Sequence, residues 1–141
     1  MSDKLTHVGQ DGKISMVDVG HKAPQLRTAE AGGVILLKAT TIDHIRNNTL
    51  KKGDVLTTAR IAGIQAAKQC SSLIPLCHTL LLNKVDVQTE ITERGVEVKT
   101  LARCTGKTGV EMEALTAASV ALLTIYDMCK AVDKDMVLSE I

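Results

Sequence analysis

The 141 residues leave room for one domain, large enough to bury a core without disulfide or metal staples. Hydrophobic residues at 45% and charged residues at 23% are globular composition and exclude intrinsic disorder. The net charge of +1 offers no global field to DNA or an anionic membrane, and one Tyr with no Phe or Trp leaves no platform for stacked bases.

Residues 1–32 carry Gly9, Gly12, Gly20, Pro24 and Gly32 with little periodicity and are predicted to be extended or loop. The apolar run Gly33 to Ala39 predicts a buried strand. Thr41 is expected to cap a short helix reaching about Asn47. Asp54 is the expected N-cap of a helix to about Gln69, Ala-rich with Gly63 at its centre, which implies close packing against a neighbour. Ser71 to His78 reads as a turn around Pro75. From Leu80 to Thr92 the residues Val85, Val87, Thr89 and Ile91 alternate with polar ones, the pattern of a half-buried strand. Glu93-Arg94-Gly95 turns the chain into a partner strand from Val96 to Cys104. After the glycine loop Thr105–Gly109 a long helix is predicted from about Val110 to Ala131, and Met136 to Ile141 gives a last strand.

The order β-α-β-β-α-β with an extra short helix predicts a single α+β domain over residues 1–141, of the ferredoxin-like split βαβ kind. Its antiparallel sheet would carry both long helices on one face, leaving the other for an oligomeric partner to cover. The opening Met1-Ser-Asp-Lys-Leu-Thr has no apolar core of a signal peptide, and Ala117 to Ile125 is too short an apolar run to span a bilayer. Cys70, Cys77, Cys104 and Cys129 then read as reduced thiols in a cytoplasmic protein, although a mature organellar protein would look the same.

The polar residues supply several candidate sites. Gly106-Lys107-Thr108 resembles a phosphate loop, but Leu101 stands where that pattern needs glycine. A glycine turn before a helix still offers backbone N–H groups to an anion, and a plain connection explains it as well. Lys51 and Lys52 beside a helix start suggest either a phosphate grip or a solvated turn. Glu111 and Glu113 lie ~200° apart around their helix, whereas Glu113, Val120 and Asp127 follow heptad spacing and should share one broad face. Fourteen helical residues nevertheless span ~21 Å, too far for Glu113 and Asp127 to act on one atom. Asp127 and Lys130, at i and i+3, form either an acid/base pair or a surface salt bridge. His78 is an acid/base candidate or a structural histidine. Adjacent Cys77 and His78 do not suit one tetrahedral metal site, and Cys77 as a nucleophile would need a lowered pKa.

Longer strings go further: Met16-Val-Asp-Val-Gly20, Lys52-Gly-Asp-Val55, Leu73-Ile-Pro-Leu-Cys-His78, Thr108-Gly-Val-Glu-Met-Glu-Ala-Leu-Thr116 and Tyr126-Asp-Met-Cys-Lys-Ala131. Together they resemble the cyclic pyranopterin monophosphate synthase family, molybdenum cofactor biosynthesis protein C. The resemblance implies a ferredoxin-like fold and hexamers, trimers of dimers, with the active site at the dimer interface. It implies conversion of 3′,8-cyclo-7,8-dihydroguanosine 5′-triphosphate to cyclic pyranopterin monophosphate with release of diphosphate, by a lyase. Matched motif by motif, Asp127, Lys52 and Lys130 are implied as catalytic. Leu76, Cys77, His78, Met112 and Glu113 are implied as substrate-binding, with Glu111 a further acid/base candidate.

No resident cofactor or metal is expected, although Mg²⁺ can accompany the triphosphate. The expected partners are the nucleotide substrate and further copies of the chain, not nucleic acid or membrane. Thr79 replaces a proline usual after the Cys-His pair, which is expected to loosen the turn presenting His78. Members continue past the position of Ile141 into a Lys- and Gly-rich tail, so reduced turnover is expected of this sequence. The competing reading is a non-catalytic nucleotide-sensing or assembly module with the same topology.

Overall fold

The computed structural model describes residues 5–141. Its elements are β1 (Gln25–Leu36), α1 (Ala39–Arg46), α2 (Val55–Lys68), α3 (Cys70–Leu73), β2 (Leu82–Ile91), β3 (Gly95–Gly106), α4 (Glu111–Cys129) and β4 (Val137–Ser139). The sheet order is β2-β3-β1-β4 with every neighbouring pair antiparallel, which is the split βαβ arrangement the sequence predicts. Helices α2 and α4 pack against each other, α2 against β2 and α4 against β1 and β3.

Three local expectations need correction. β1 begins at Gln25, not Gly33, and pairs with β3 from Gln25↔Gly106 to Leu36↔Gly95. Its first half does alternate, with Arg27, Ala29 and Ala31 more buried than Leu26, Thr28 and Glu30, but alanines and an arginine conceal the period from a search for large apolar residues. Thr41 is not the cap of α1: it is buried inside the helix and donates to Asp133 Oδ2 at 2.8 Å. The same oxygen accepts the Lys38 N–H at 3.0 Å, so a carboxylate beyond α4 caps α1 from a distance. Burial pushes the Asp133 carboxyl up, yet the N–H groups of Lys38 and Asp135 and the Thr41 hydroxyl outweigh it and hold it below the ordinary value. The Ser71–His78 turn, finally, opens with the short helix α3.

Asp54 caps α2 as expected, accepting from the Thr57 N–H at 3.0 Å. Gly63 is the point of close approach: a Cβ there would lie 3.0 Å from both Ala117 O and Val87 Cγ2. Gly63→Ala gains about 1 kcal/mol of helix propensity but pushes into a backbone carbonyl and a fully buried valine. A net loss of about 1 kcal/mol is expected, measured by urea unfolding; an unchanged midpoint would show that the helices separate freely.

The main core joins Ile35, Val87, Val96 and Val98 of the sheet to Ala117, Ala121, Leu122 and Ile125 of α4. The opposite sheet face mixes Glu30, Asp86, Gln88, Glu90, Lys99 and Arg103 with Leu26, Leu101 and Val137, of which Leu26 is 69% and Val137 50% exposed. The helix layer exposes apolar side chains as well, with Ile61, Leu73 and Leu123 at 54%, 53% and 57%. α4 has no charged residue between Glu113 and Asp127. By length and a mean hydropathy of 1.3 it could cross a membrane, but here it is the core helix, with 56% of that window buried.

Candidate active site

The five residues implied as substrate-binding, together with Glu111, line one cavity of about 770 Å³ between the turn after α3, the start of α4 and the arm that precedes β1. Leu76, Cys77 and His78 form one wall, Glu111, Met112 and Glu113 another, and Val17, Val19, Lys22 and His7 of the arm a third. A volume of that size suits a small organic ligand. His78 Nε2 lies 2.6 Å from Val17 O; a carbonyl only accepts, so Nε2 donates and Nδ1 is the nitrogen left for another partner. Lys107 Nζ donates to Gly20 O at 3.2 Å, which holds the arm to the glycine loop. Arg27 Nη2 and Nε donate to the Lys107 and Gly106 carbonyls at 3.4 Å each. Lys107 thus fastens the cavity's third wall.

Thr79, expected to loosen the turn, donates to Ser71 Oγ of α3 at 3.3 Å. Burial and the neighbouring Cys70 push the Cys77 thiol up to about 11, which leaves it protonated and a poor nucleophile at neutral pH. All four cysteines are free thiols. Glu113 is only 4% exposed, and burial pushes its carboxyl above the ordinary glutamate value, with Glu111 adding to the rise. A Cβ at Gly109 would collide with the Glu111 carboxylate, so that glycine is needed for Glu111 to fold back over the loop.

The residues implied as catalytic gather at the far end of α4. Lys52 Nζ lies 3.1 Å from Asp127 Oδ2 and donates to Asp127 O at 3.0 Å, while Lys130 Nζ is 3.1 Å from Oδ1. Both ammoniums thus hold one carboxylate, with about half of each side chain open to solvent. The Lys52 hydrogen bond, then that of Lys130, holds the Asp127 carboxyl below the ordinary aspartate value. Lys52 reaches this position from a loop that turns at Asn48 (φ 52°) and Gly53 (φ 103°). Asp54 caps the N-terminus of α2, while Lys52, two residues before it, bonds to Asp127.

Glu113 and Asp127, fourteen residues apart on one continuous helix, lie within about 40° of each other around its axis and differ in cover, the first being buried and the second exposed. Met112, Leu115, Leu123, Asp127 and Lys130 do fall on the less buried side of α4, and this stripe joins the cavity to the Lys-Asp-Lys cluster over ~21 Å. Among the described residues, no three His, Cys, Asp or Glu side chains are placed to hold a metal ion. The arm residues His7, Val17 and Lys22 are additions to the site expected from sequence; Val17 lies in the Met16–Gly20 string, and no motif covers His7 or Lys22.

Fold and site together define a ferredoxin-like α+β domain with a small-molecule cavity at one end of its core helix and a paired-cation carboxylate at the other. Residues 16–141 match the MoaC family model. The chain belongs to the MoaC family, an enzyme family of molybdenum cofactor biosynthesis.

Proposed function

We propose that this chain is the lyase that turns 3′,8-cyclo-7,8-dihydroguanosine 5′-triphosphate into cyclic pyranopterin monophosphate and diphosphate. The observation that carries the reading is the carboxylate of Asp127 held between two ammoniums, with the cavity along the same helix. Rearranging a purine into a pterin requires repeated proton transfers, and Asp127, ionised at neutral pH, is placed to accept and return them. Lys52 and Lys130 exceed it by one positive charge, which suits a site that must stabilise phosphate oxygens and a departing diphosphate. The cavity takes the heterocycle, with His78, Met112 and Glu113 against it.

One chain alone leaves the two ends too far apart for one ligand. An antiparallel pairing of two α4 helices about a two-fold near Val120, midway between Glu113 and Asp127, would bring the cluster of one copy to the cavity of the next. It would also cover Leu123 and the uncharged stripe. We therefore propose a homodimeric unit, three of which make the hexamer that the resemblance implies, acting on a nucleotide in the cytoplasm or as a mature organellar protein. Nucleic acid and membrane have no part in this reading. No resident cofactor is required, and Mg²⁺ would arrive with the triphosphate. Folding should accordingly be indifferent to EDTA; a thermal midpoint that drops on chelation and returns with zinc would refute this.

The direct test mixes purified protein with the cyclised dihydro-GTP and follows pterin and diphosphate. Formation of both supports the lyase. Tight binding without either product supports a nucleotide-sensing or assembly module.

A further inference from the structure

Among the described residues, Glu113 Oε2 is the buried side-chain oxygen with no hydrogen-bond partner. Such atoms are rare in folded proteins and call for a physical reason. Glu113 stands in the first turn of α4, is 4% exposed, and lines the cavity beside Met112 and His78.

The groups around it leave the carboxyl uncompensated. Glu111, on the same helix, is of like charge. Cys104 of β3 and Cys77 of the turn are thiols whose own ionisation is suppressed by burial. His78 from the turn and Lys22 and His7 from the arm line the same cavity, but His78 is committed through Nε2 to Val17 O. The helix N-terminus and Glu113's own N–H favour the anion, yet burial outweighs them. A carboxyl in this setting is easier to keep as an acid, which needs an acceptor, than as a charge, which needs a cation.

We propose that Glu113 acts in ligand binding as a neutral carboxylic acid, its Oε2–H donating to a ring nitrogen or carbonyl oxygen of the ligand's heterocycle. The inference rests on the reading that this cavity receives the heterocyclic end of a nucleotide. Glu113 then supplies a donor and His78 Nδ1 an acceptor, a pair that matches the N–H and C=O edge of a lactam-type ring. The sign of the pH dependence follows. The proton-bound form binds, so affinity is full on the acid side and falls as pH rises through the raised Glu113 value, in a window above that of an ordinary glutamate.

Two measurements test this. In ligand-free protein labelled with ¹³C at the Glu δ-carbon, the resonance lost in Glu113→Gln should titrate above the ordinary glutamate range; a midpoint within or below it overturns the proposal. Binding of GTP and of cyclised dihydro-GTP is then measured by calorimetry across pH. Glu113→Gln keeps a donor and removes the titration, so its affinity should stay within about threefold of the acid-side wild type and lose this pH dependence. Glu113→Ala should bind roughly tenfold to 100-fold more weakly. A Gln variant as weak as the Ala variant would show that the charge is required and overturn the proposal. If wild-type protein binds neither nucleotide at any pH, the cavity reading fails and the donor role with it, while the resonance still decides the protonation of Glu113.

Discussion

Asp127→Asn is expected to lower turnover at least ~100-fold in correctly assembled protein, with much smaller loss of substrate affinity. The amide keeps the size of the side chain, and its one oxygen can still accept from one of the two ammoniums while its NH2 faces the other, but it no longer takes up and returns a proton. Lys52, the largest influence, and Lys130 hold the wild-type carboxyl below the ordinary aspartate value. The sign is that of a depressed acid: the ionised form is present at and above neutral pH and is lost as pH falls through the lowered value. The acid limb of the rate profile should therefore lie below the ordinary aspartate range. Lys52→Ala or Lys130→Ala should move that limb upward, because each removes one of the two ammoniums, and each should also weaken diphosphate departure. The opposing possibility is an exposed ion pair with no chemical duty, which is the common fate of such pairs. Near-wild-type turnover by purified Asp127→Asn would establish it and remove Asp127 from the chemistry.

Some of this was legible in the chain because cause and effect are local. Asp54 caps the helix that begins at its neighbour, and the alternation through Val85, Val87 and Thr89 declares a strand whose turn follows at Glu93-Arg94-Gly95. What failed was either non-local or hidden by small residues. The cap of α1 comes from Asp133, 92 positions beyond the Thr41 it bonds, and no window around Thr41 contains it. The first half of β1 gains its stability from the full length of β3, so its own alanines carry little signal. At the site, Asp127 and Lys130 were legible as a pair because i and i+3 meet on any helix. Lys52 lies 75 positions from Asp127, and only the family strings joined them before the fold did. Heptad spacing does put Glu113 on Asp127's side of α4, but it carries no sign that the packing around the first turn buries Glu113 while Asp127 stays exposed.

Mixing two inactive variants should restore activity, and which two restore it depends on the placement of the residues. Lys52 and Asp127 touch within one chain, so Lys52→Ala mixed with Asp127→Asn leaves every Lys-Asp-Lys cluster damaged and should rescue nothing. His78 belongs to the other end of α4, ~21 Å from Asp127. If each active site joins the cluster of one copy to the cavity of another, an Asp127→Asn chain paired with a His78→Ala chain carries one doubly damaged site and one intact site. Equal amounts, exchanged at random, put half of the dimers in this mixed state, so about a quarter of all sites should regain wild-type turnover. The chains are unfolded and refolded together to permit exchange, and sedimentation confirms that the mixture assembles. The apolar side of α4 sets a further condition: Leu123→Glu, on the proposed contact face, should weaken dimers and abolish the rescue while leaving each chain folded. A monomer with full activity at micromolar concentration would defeat the shared site outright. Failure of the Asp127→Asn and His78→Ala mixture in assembled, subunit-exchanged protein would place both ends of α4 in separate sites and require the cavity to work without the cluster.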